Sequence, residues 1–174
     1  MSTLKIGICG WGNVATGLYK IAKKNIESIK KQGNLDIEII VIGARRDNPN
    51  CKPENVIIER DIFNVVNHDI DVMVELIGGV DVAKDLILKA LKKKKHVVTA
   101  NKAVIYNHGD EIFECAKENG VKVLFESSVC AGTPIIKLLT EELSANKISK
   151  ISGMLNGTSN FILSNMEDLS LIHI

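Results

Sequence analysis

The chain has 174 residues, 45% hydrophobic and 25% charged, enough to enclose a real core in one domain, or in one domain and part of another. Lysine and arginine number 22 against 21 aspartates and glutamates, a net charge of +1, so the composition shows neither the basic bias of a nucleic-acid binder nor a polybasic anchor for an anionic membrane. No apolar run approaches the roughly 20 residues of a membrane helix and no signal-peptide pattern precedes the first strand-like run; a cytoplasmic protein without a nucleic-acid or membrane partner is expected.

The stretch Lys5 to Gly17, KIGICGWGNVATG, reads as strand, glycine turn and helix. Ile6, Ile8 and Cys9 form the apolar run, Gly10 and Gly12 the turn, and Val14, Leu18, Ile21 and Ala22 the helical pattern behind it. Gly10 suits a turn that a Cβ would obstruct, and Gly12 admits the close approach of a pyrophosphate. Ala15 is the small residue where helix meets strand. Free N–H groups at the helix start would hold the phosphates; the alternative is an ordinary glycine turn.

The first helix is expected to run on through Ile26 and Ile29 to the polar turn KKQGN, and Ile37 to Ile42 reads as a second buried strand. It ends in Gly43, Ala44, Arg45 and Arg46, where this fold meets the adenosine ribose. Arginine there pairs with a 2′-phosphate, and no carboxylate stands at the strand end, although Asp47 follows closely. NADP is therefore favoured over NAD, unless Arg45 and Arg46 are a solvated surface pair.

Asn48 to Pro53 reads as a loop, Val56 to Ile58 as a short edge strand and Ile62 to Val66 as a short helix. Val72 to Ile77 is a core strand running into Gly78-Gly79, and a helix from about Val82 to Lys94 carries Ala83, Leu86, Ile87, Ala90 and Leu91 on one face. The lysines Lys92 to Lys95 read as a solvated helix end rather than a polyanion site. Val97-Val98 makes the next strand, Ile112 to Lys117 belongs to a helix stopped by Asn119-Gly120, and Val121 to Phe125 is a further strand. Beyond it Pro134 opens an amphipathic helix through Leu143, Ile148 to Leu155 reads as a strand and Thr158 to Met166 as a helix.

Alternating strands and helices predict an α/β fold, a Rossmann-like doubly wound parallel sheet, with its ligand beyond the carboxyl ends of the strands. Those ends carry Gly10, Arg45, Gly78, Thr99 and Glu126. Lys102, just past the strand Val97-Val98, would hold an ammonium near the nicotinamide end of a cofactor, where it can polarise a carbonyl; the alternative is an ordinary exposed lysine. Cys9, Cys51, Cys115 and Cys130 are scattered without metal-ligand spacing, so packed, reduced thiols are expected. His68, His96, His108 and His173 are equally isolated, and none is given a catalytic role.

The strings ELIGG at 75–79, HVVTANKA at 96–103, HGDEIFE at 108–114, GTPIIK at 132–137 and LNGTSNFIL at 155–163, in this order behind the glycine turn, resemble homoserine dehydrogenase. The resemblance runs from about Lys5 to about Met166 and implies reversible reduction of L-aspartate 4-semialdehyde to L-homoserine with NAD(P)H, on the shared route to threonine and methionine. It implies an NAD(P)-binding Rossmann domain over 1–131, the start of an α/β catalytic domain over 132–168, and a homodimer for the complete enzyme. By the same resemblance Gly10, Trp11, Gly12, Asn13 and Val14 occupy the cofactor loop, Gly78 and Thr99 the nicotinamide side, and Lys102 the position of a lysine that contacts cofactor and substrate and takes part in catalysis. Gly157 and Thr158 match a substrate-lining Gly-Thr. Glu126, with the carbonyls of Val129, Ala131 and Thr133, matches a loop that holds a monovalent cation such as sodium, the alternative being that Glu126 caps a helix or forms a salt bridge.

Ala15 stands where the family has Gly, and Ser127, Cys130 and Thr133 where it has Ala, Gly and a hydrophobic residue. The final LSLIHI, Leu169 to Ile174, does not resemble the family and looks like a translated sequencing adapter. An interrupted reading frame with a foreign tail at 169–174 is expected, which would leave out a second catalytic lysine and the acidic residues that grip the substrate amine; the alternative is a natural end in an apolar strand. Two rivals stand beside this reading: a nucleotide-sensing module without chemistry, and another dehydrogenase of similar layout, of the sugar or dihydrodipicolinate reductase type.

Overall fold

The chain enters the fold on a strand, β1 (Thr3–Cys9), half-buried at its start and fully buried at Ile8 and Cys9. The strands β2 (Asp36–Gly43), β3 (Ile57–Glu59), β4 (Val72–Glu75), β5 (His96–Thr99) and β6 (Val123–Leu124) join it in the order β3-β2-β1-β4-β5-β6, and every pairing is parallel. This is the doubly wound order, in which the chain turns back at β1 and leaves a crevice between the ends of β1 and β4. The structure is a computed structural model that describes residues 2–153 and 156–168, in two compact units, Met1–Thr133 and Pro134–Ile174.

One face of the sheet is covered by α3 (Asp81–Lys92), α4 (Lys102–Asn119) and a 3-10 helix at Ile62–Asn67, which enclose a core around Met73, Leu86, Ile87, Leu91 and Ile112. The face of α3 that is buried is the one its periodicity predicts, and Lys92 to Lys94 stand exposed at its end. The other face packs α1 (Asn13–Lys24) through Ala15 and Tyr19 onto Ile8, Ile42 and Val74. Ala15 is fully buried there, as its size predicts.

The expected single first helix is two. Asn25 (φ −108°, ψ 16°) leaves helical geometry and donates both its backbone N–H and its side-chain amide to the Ile21 carbonyl, at 3.0 and 3.1 Å, before α2 (Ile26–Gly33) begins. In the other direction, α4 is far longer than Ile112 to Lys117. It starts at Lys102 because Asn101 caps it, and its first half hides the apolar period behind Tyr106, Asn107, His108 and Gly109, with His108 itself off helical geometry (φ −136°, ψ 17°). Of the strand expected at Val121 to Phe125 only Val123–Leu124 pairs, with Val97 and Val98. Phe125 (φ −134°, ψ 24°) turns the chain into a short helix, α5 (Glu126–Val129), so Glu126 begins a helix instead of ending a strand.

In the second unit α6 (Ile135–Lys137) runs into a π-helical turn at Leu138–Glu142, and α7 (Gly157–Asp168) covers the helix expected at Thr158 to Met166. The strand expected at Ile148 to Leu155 does not form over 148–153: Ile148 and Ile151 are exposed, and among the described residues no strand pairs with this stretch. Met154 and Leu155, and the tail from Leu169 to Ile174, lie outside the described residues. Among the described residues no helix is long and apolar enough to cross a membrane, and all four cysteines are free thiols.

Candidate functional site

In-register pairing sets the last residues of four strands in one row: Gly43 opposite Cys9, Cys9 opposite Glu75, and Glu75 opposite Thr99. β1 meets Gly43 only because its register with β2 shifts between Ile6 and Gly7. From this row the chain turns at Gly10, whose N–H donates to the Gly43 carbonyl at 2.8 Å. Gly10 sits at φ +103°, and a Cβ there would lie 2.6 Å from the Leu76 carbonyl oxygen, so both conformation and space demand glycine. Gly12 differs. It precedes α1 at φ −86°, and a Cβ on it would meet nothing within 4 Å. The room above Gly12 is open cleft, and the first turn of α1 has neither a side-chain cap nor an acidic residue, which leaves its N–H groups to an anion.

One cleft, of about 420 Å³, gathers Gly10, Trp11, Gly12, Arg45 and Arg46. Arg45 and Arg46 are exposed, and among the described residues neither guanidinium has an ion-pair partner. The nearby acidic residue is engaged elsewhere: Asp47 accepts from Arg60 Nη2 at 2.8 Å, while Arg60 Nη1 donates to the Ala44 carbonyl at 3.2 Å. Trp11 braces the cleft from behind. Its Nε1–H donates to the Cys51 carbonyl at 3.2 Å and its ring stands edge-on to Tyr19, with centroids 5.5 Å apart.

A second cleft, of about 410 Å³, shares Leu76 and Ile77 with the first and is lined by Val14, Glu75, Gly78 and Lys102. Val14 is an apolar side chain left 63% exposed at this cleft. Gly78 and Gly79 take φ +72° and +77°, a left-handed turn that L side chains resist. Lys102 is the first residue of α4, exposed and without an ion pair among the described residues. A cation at a helix N-terminus opposes the helix dipole by roughly 0.3–1 kcal/mol, so helix stability does not explain it.

Under this cleft lie Glu75 and Thr99, both fully buried. Glu75 Oε1 accepts from the Ile77 N–H at 2.9 Å and Oε2 from Thr99 Oγ1 at 2.5 Å. Thr99 Oγ1 in turn accepts from the Asn101 N–H at 3.0 Å, and its carbonyl accepts from Ser128 Oγ at 2.9 Å. Beside them the Cys9 thiol is pushed up to about 12 by burial and then by the Glu75 carboxylate, so it stays protonated and unreactive near neutral pH.

The structure thus brings together Gly10, Trp11, Gly12, Arg45 and Arg46 in one cleft, and Val14, Gly78 and Lys102 in its neighbour, with Thr99 beneath. Asn13 opens α1, its carbonyl accepting from Thr16 Oγ1 at 3.1 Å. Glu126 and Val129 are the first and last residues of α5, and Ala131 and Thr133 follow in a turn where the Thr133 N–H donates to the Cys130 carbonyl at 3.0 Å. Among the described residues no group of three or more His, Cys, Asp or Glu is placed to hold a metal. Gly157 and Thr158 belong to the second unit, at the start of α7, where Asn156 Oδ1 accepts from the Ser159 N–H at 3.0 Å. Glu75 and Asn101 were not singled out by the sequence reading, although a carboxylate ending an otherwise apolar strand was a signal.

Both clefts are built from residues between Gly10 and Ala103. The family model described as the NAD-binding domain of homoserine dehydrogenase matches residues 10–126, and a second homoserine dehydrogenase model matches residues 134–172. The chain belongs to the homoserine dehydrogenase family. It is 50% identical over 169 residues to the homoserine dehydrogenase of Pseudomonas aeruginosa, a match covering 97% of this chain and 39% of that protein. The crystal structure of a homoserine dehydrogenase from Thiobacillus denitrificans superposes with a TM-score of 0.89 at 40% identity, over 95% of this chain and 39% of that one. A hyperthermophilic archaeal homoserine dehydrogenase in complex with NADPH matches at 27% identity and a TM-score of 0.65, over 79% of this chain and 48% of that one. The chain therefore spans about two fifths of the length of the homoserine dehydrogenase of P. aeruginosa, and its NAD-binding region contains both clefts.

Proposed function

We propose that this chain is the cofactor-binding portion of an enzyme that interconverts L-homoserine and L-aspartate 4-semialdehyde with NADP(H). The observation that carries this reading is the pair of adjoining clefts at the switch point, with arginines at one end and a lysine at the other that have no ion-pair partner among the described residues. The open space over Gly12 and the uncapped first turn of α1 fit a pyrophosphate. Arg45 and Arg46 suit a 2′-phosphate, and the engagement of Asp47 by Arg60 removes the carboxylate that would otherwise favour a 2′-hydroxyl; NADP is thereby preferred, with NAD the weaker ligand. The NADPH complex of the archaeal relative supports the same cofactor.

When bound, the nicotinamide supplies or accepts a hydride. The residues of this chain position and polarise. Gly78 and Val14 border the nicotinamide cleft, and Lys102 donates a hydrogen bond to the substrate oxygen, stabilising the charge that develops there. Gly157 and Thr158 line the substrate, and Glu126 with the carbonyls of Val129, Ala131 and Thr133 holds a monovalent cation such as sodium. The complete protein is a cytoplasmic homodimer on the route to threonine and methionine.

The experiment is an assay of a full-length protein carrying this segment. Aspartate semialdehyde should be reduced with NADPH in preference to NADH, and more slowly when choline replaces sodium. Reduction of a different carbonyl compound alone overturns the assignment. A nucleotide sensor is distinguished by NADPH affinity that does not respond to homoserine.

A further inference from the structure

Glu75 has no part in the reading above, yet it is the fully buried carboxylate at the turning point of the sheet. Neither of its two hydrogen-bond partners is a cation. An aliphatic side chain would fill the end of β4 without the cost of burying a charge, so packing does not account for an acid here. What it holds does. Its two oxygens take one donor from the turn after β4 and one from the end of β5.

The partners close a ring. From Glu75 the chain runs through Ile77 to Gly79, whose carbonyl accepts from Asn101 Nδ2 at 2.6 Å. The Asn101 N–H donates to Thr99 Oγ1, and Thr99 Oγ1 donates back to Glu75. The remaining polar atom of the Asn101 side chain, Oδ1, accepts from the Val104 N–H at 3.2 Å and so starts α4, with Lys102 the next residue in the chain. Resting on the assignment of this cleft to the nicotinamide, we infer that Glu75 is a positioning residue: its carboxylate locks the Gly78-Gly79 turn to the start of α4, and so shapes the cleft and places Lys102.

The carboxylate matters because it accepts at both oxygens. Glutamine in the same place accepts at one and offers a donor at the other, where the Thr99 hydroxyl needs an acceptor. The ring then opens at Thr99, which does not line the cleft of Arg45 and Arg46, while the remaining amide oxygen still accepts from the N–H of Ile77, the one ring residue that lines both clefts.

The test compares two probes on the chain and its E75Q variant: NADPH, which needs both clefts, and adenosine 2′,5′-bisphosphate, which needs only the first. Calorimetry should show NADPH weakened about tenfold by E75Q, the effect of one charged hydrogen bond. The bisphosphate should change less than about twofold. Thr99→Val should repeat that pattern, and Thr99→Ser, which restores the hydroxyl to Glu75, should recover the NADPH affinity that Thr99→Val loses. Equal weakening of both probes, or of neither, overturns the inference; should E75Q fail to fold, the Thr99 pair decides alone. A different failure, NADPH binding the unaltered chain no more tightly than the bisphosphate, removes the nicotinamide assignment and this inference with it.

Discussion

The cleft of Arg45 and Arg46 and the cleft of Lys102 are nearly equal in size, about 420 and 410 Å³, and they are built in opposite ways. In the first, the charged groups are exposed, without an ion-pair partner among the described residues, and carried on the loop that leaves β2. In the second, the exposed ammonium of Lys102 stands on a helix start fastened from below by Glu75, Thr99 and Asn101. Long, solvated side chains adapt to a phosphate, which needs charge more than exact placement. A reacting carbonyl needs placement, because a misplacement of about 1 Å can cost two orders of magnitude in rate. The difference separates affinity from alignment.

The largest effect is expected where the two clefts meet. Gly10→Ala forces a Cβ against the Leu76 carbonyl at a φ of +103°. It should lower stability in urea by about 3 kcal/mol or more and abolish binding of NADPH and of adenosine 2′,5′-bisphosphate alike. Retained binding of either probe would mean that the clefts do not share this turn. Next comes the adenosine end alone. Replacing Arg45 and Arg46 together by alanine should weaken NADPH by about 10- to 100-fold, and NADH by less than about twofold, because only the 2′-phosphate loses charged hydrogen bonds. Equal losses would show the arginines to be general surface charge.

Much of this comparison was legible in the sequence because its residues are local. Gly10 to Val14, Arg45-Arg46, Gly78 and Lys102 each lie within a few residues of a strand end, and apolar runs reveal strand ends. The ring beneath Lys102 was not legible: Glu75 meets Thr99 across 24 residues and Asn101 meets Gly79 across 22, pairings that exist only once β4 and β5 are in register. Local competition explains the misread boundaries. Asn25 spends its side chain on the Ile21 carbonyl and splits the first helix, while Asn101 starts α4 well before its apolar period becomes visible. In the second unit the strand expected at Ile148 to Leu155 has, over 148–153 and among the described residues, no neighbour to pair with.

At neutral pH the smallest effect belongs to the buried side of the comparison. The Cys9 thiol, pushed up to about 12 by burial and then by Glu75, ionises more readily in the unfolded chain. The folded state then holds a proton that the unfolded state has lost, so stability falls as pH rises from the ordinary thiol value of 9.0 towards about 12. The slope from this one group is about 1.4 kcal/mol per pH unit. Cys9→Ala should flatten the alkaline limb of urea stability by that single proton and leave NADPH affinity at neutral pH within about twofold. An unchanged alkaline slope would contradict the burial of the thiol.

Amide chemical-shift mapping of the chain during titration with NADPH addresses the central claim, that one dinucleotide spans both clefts. Shifts at Gly10 to Val14, Arg45 and Arg46, Gly78 and Gly79, and Asn101 and Lys102 should move together along one binding curve. Shifts confined to the arginine cleft, or appearing at Lys92 to Lys95 instead, would contradict it.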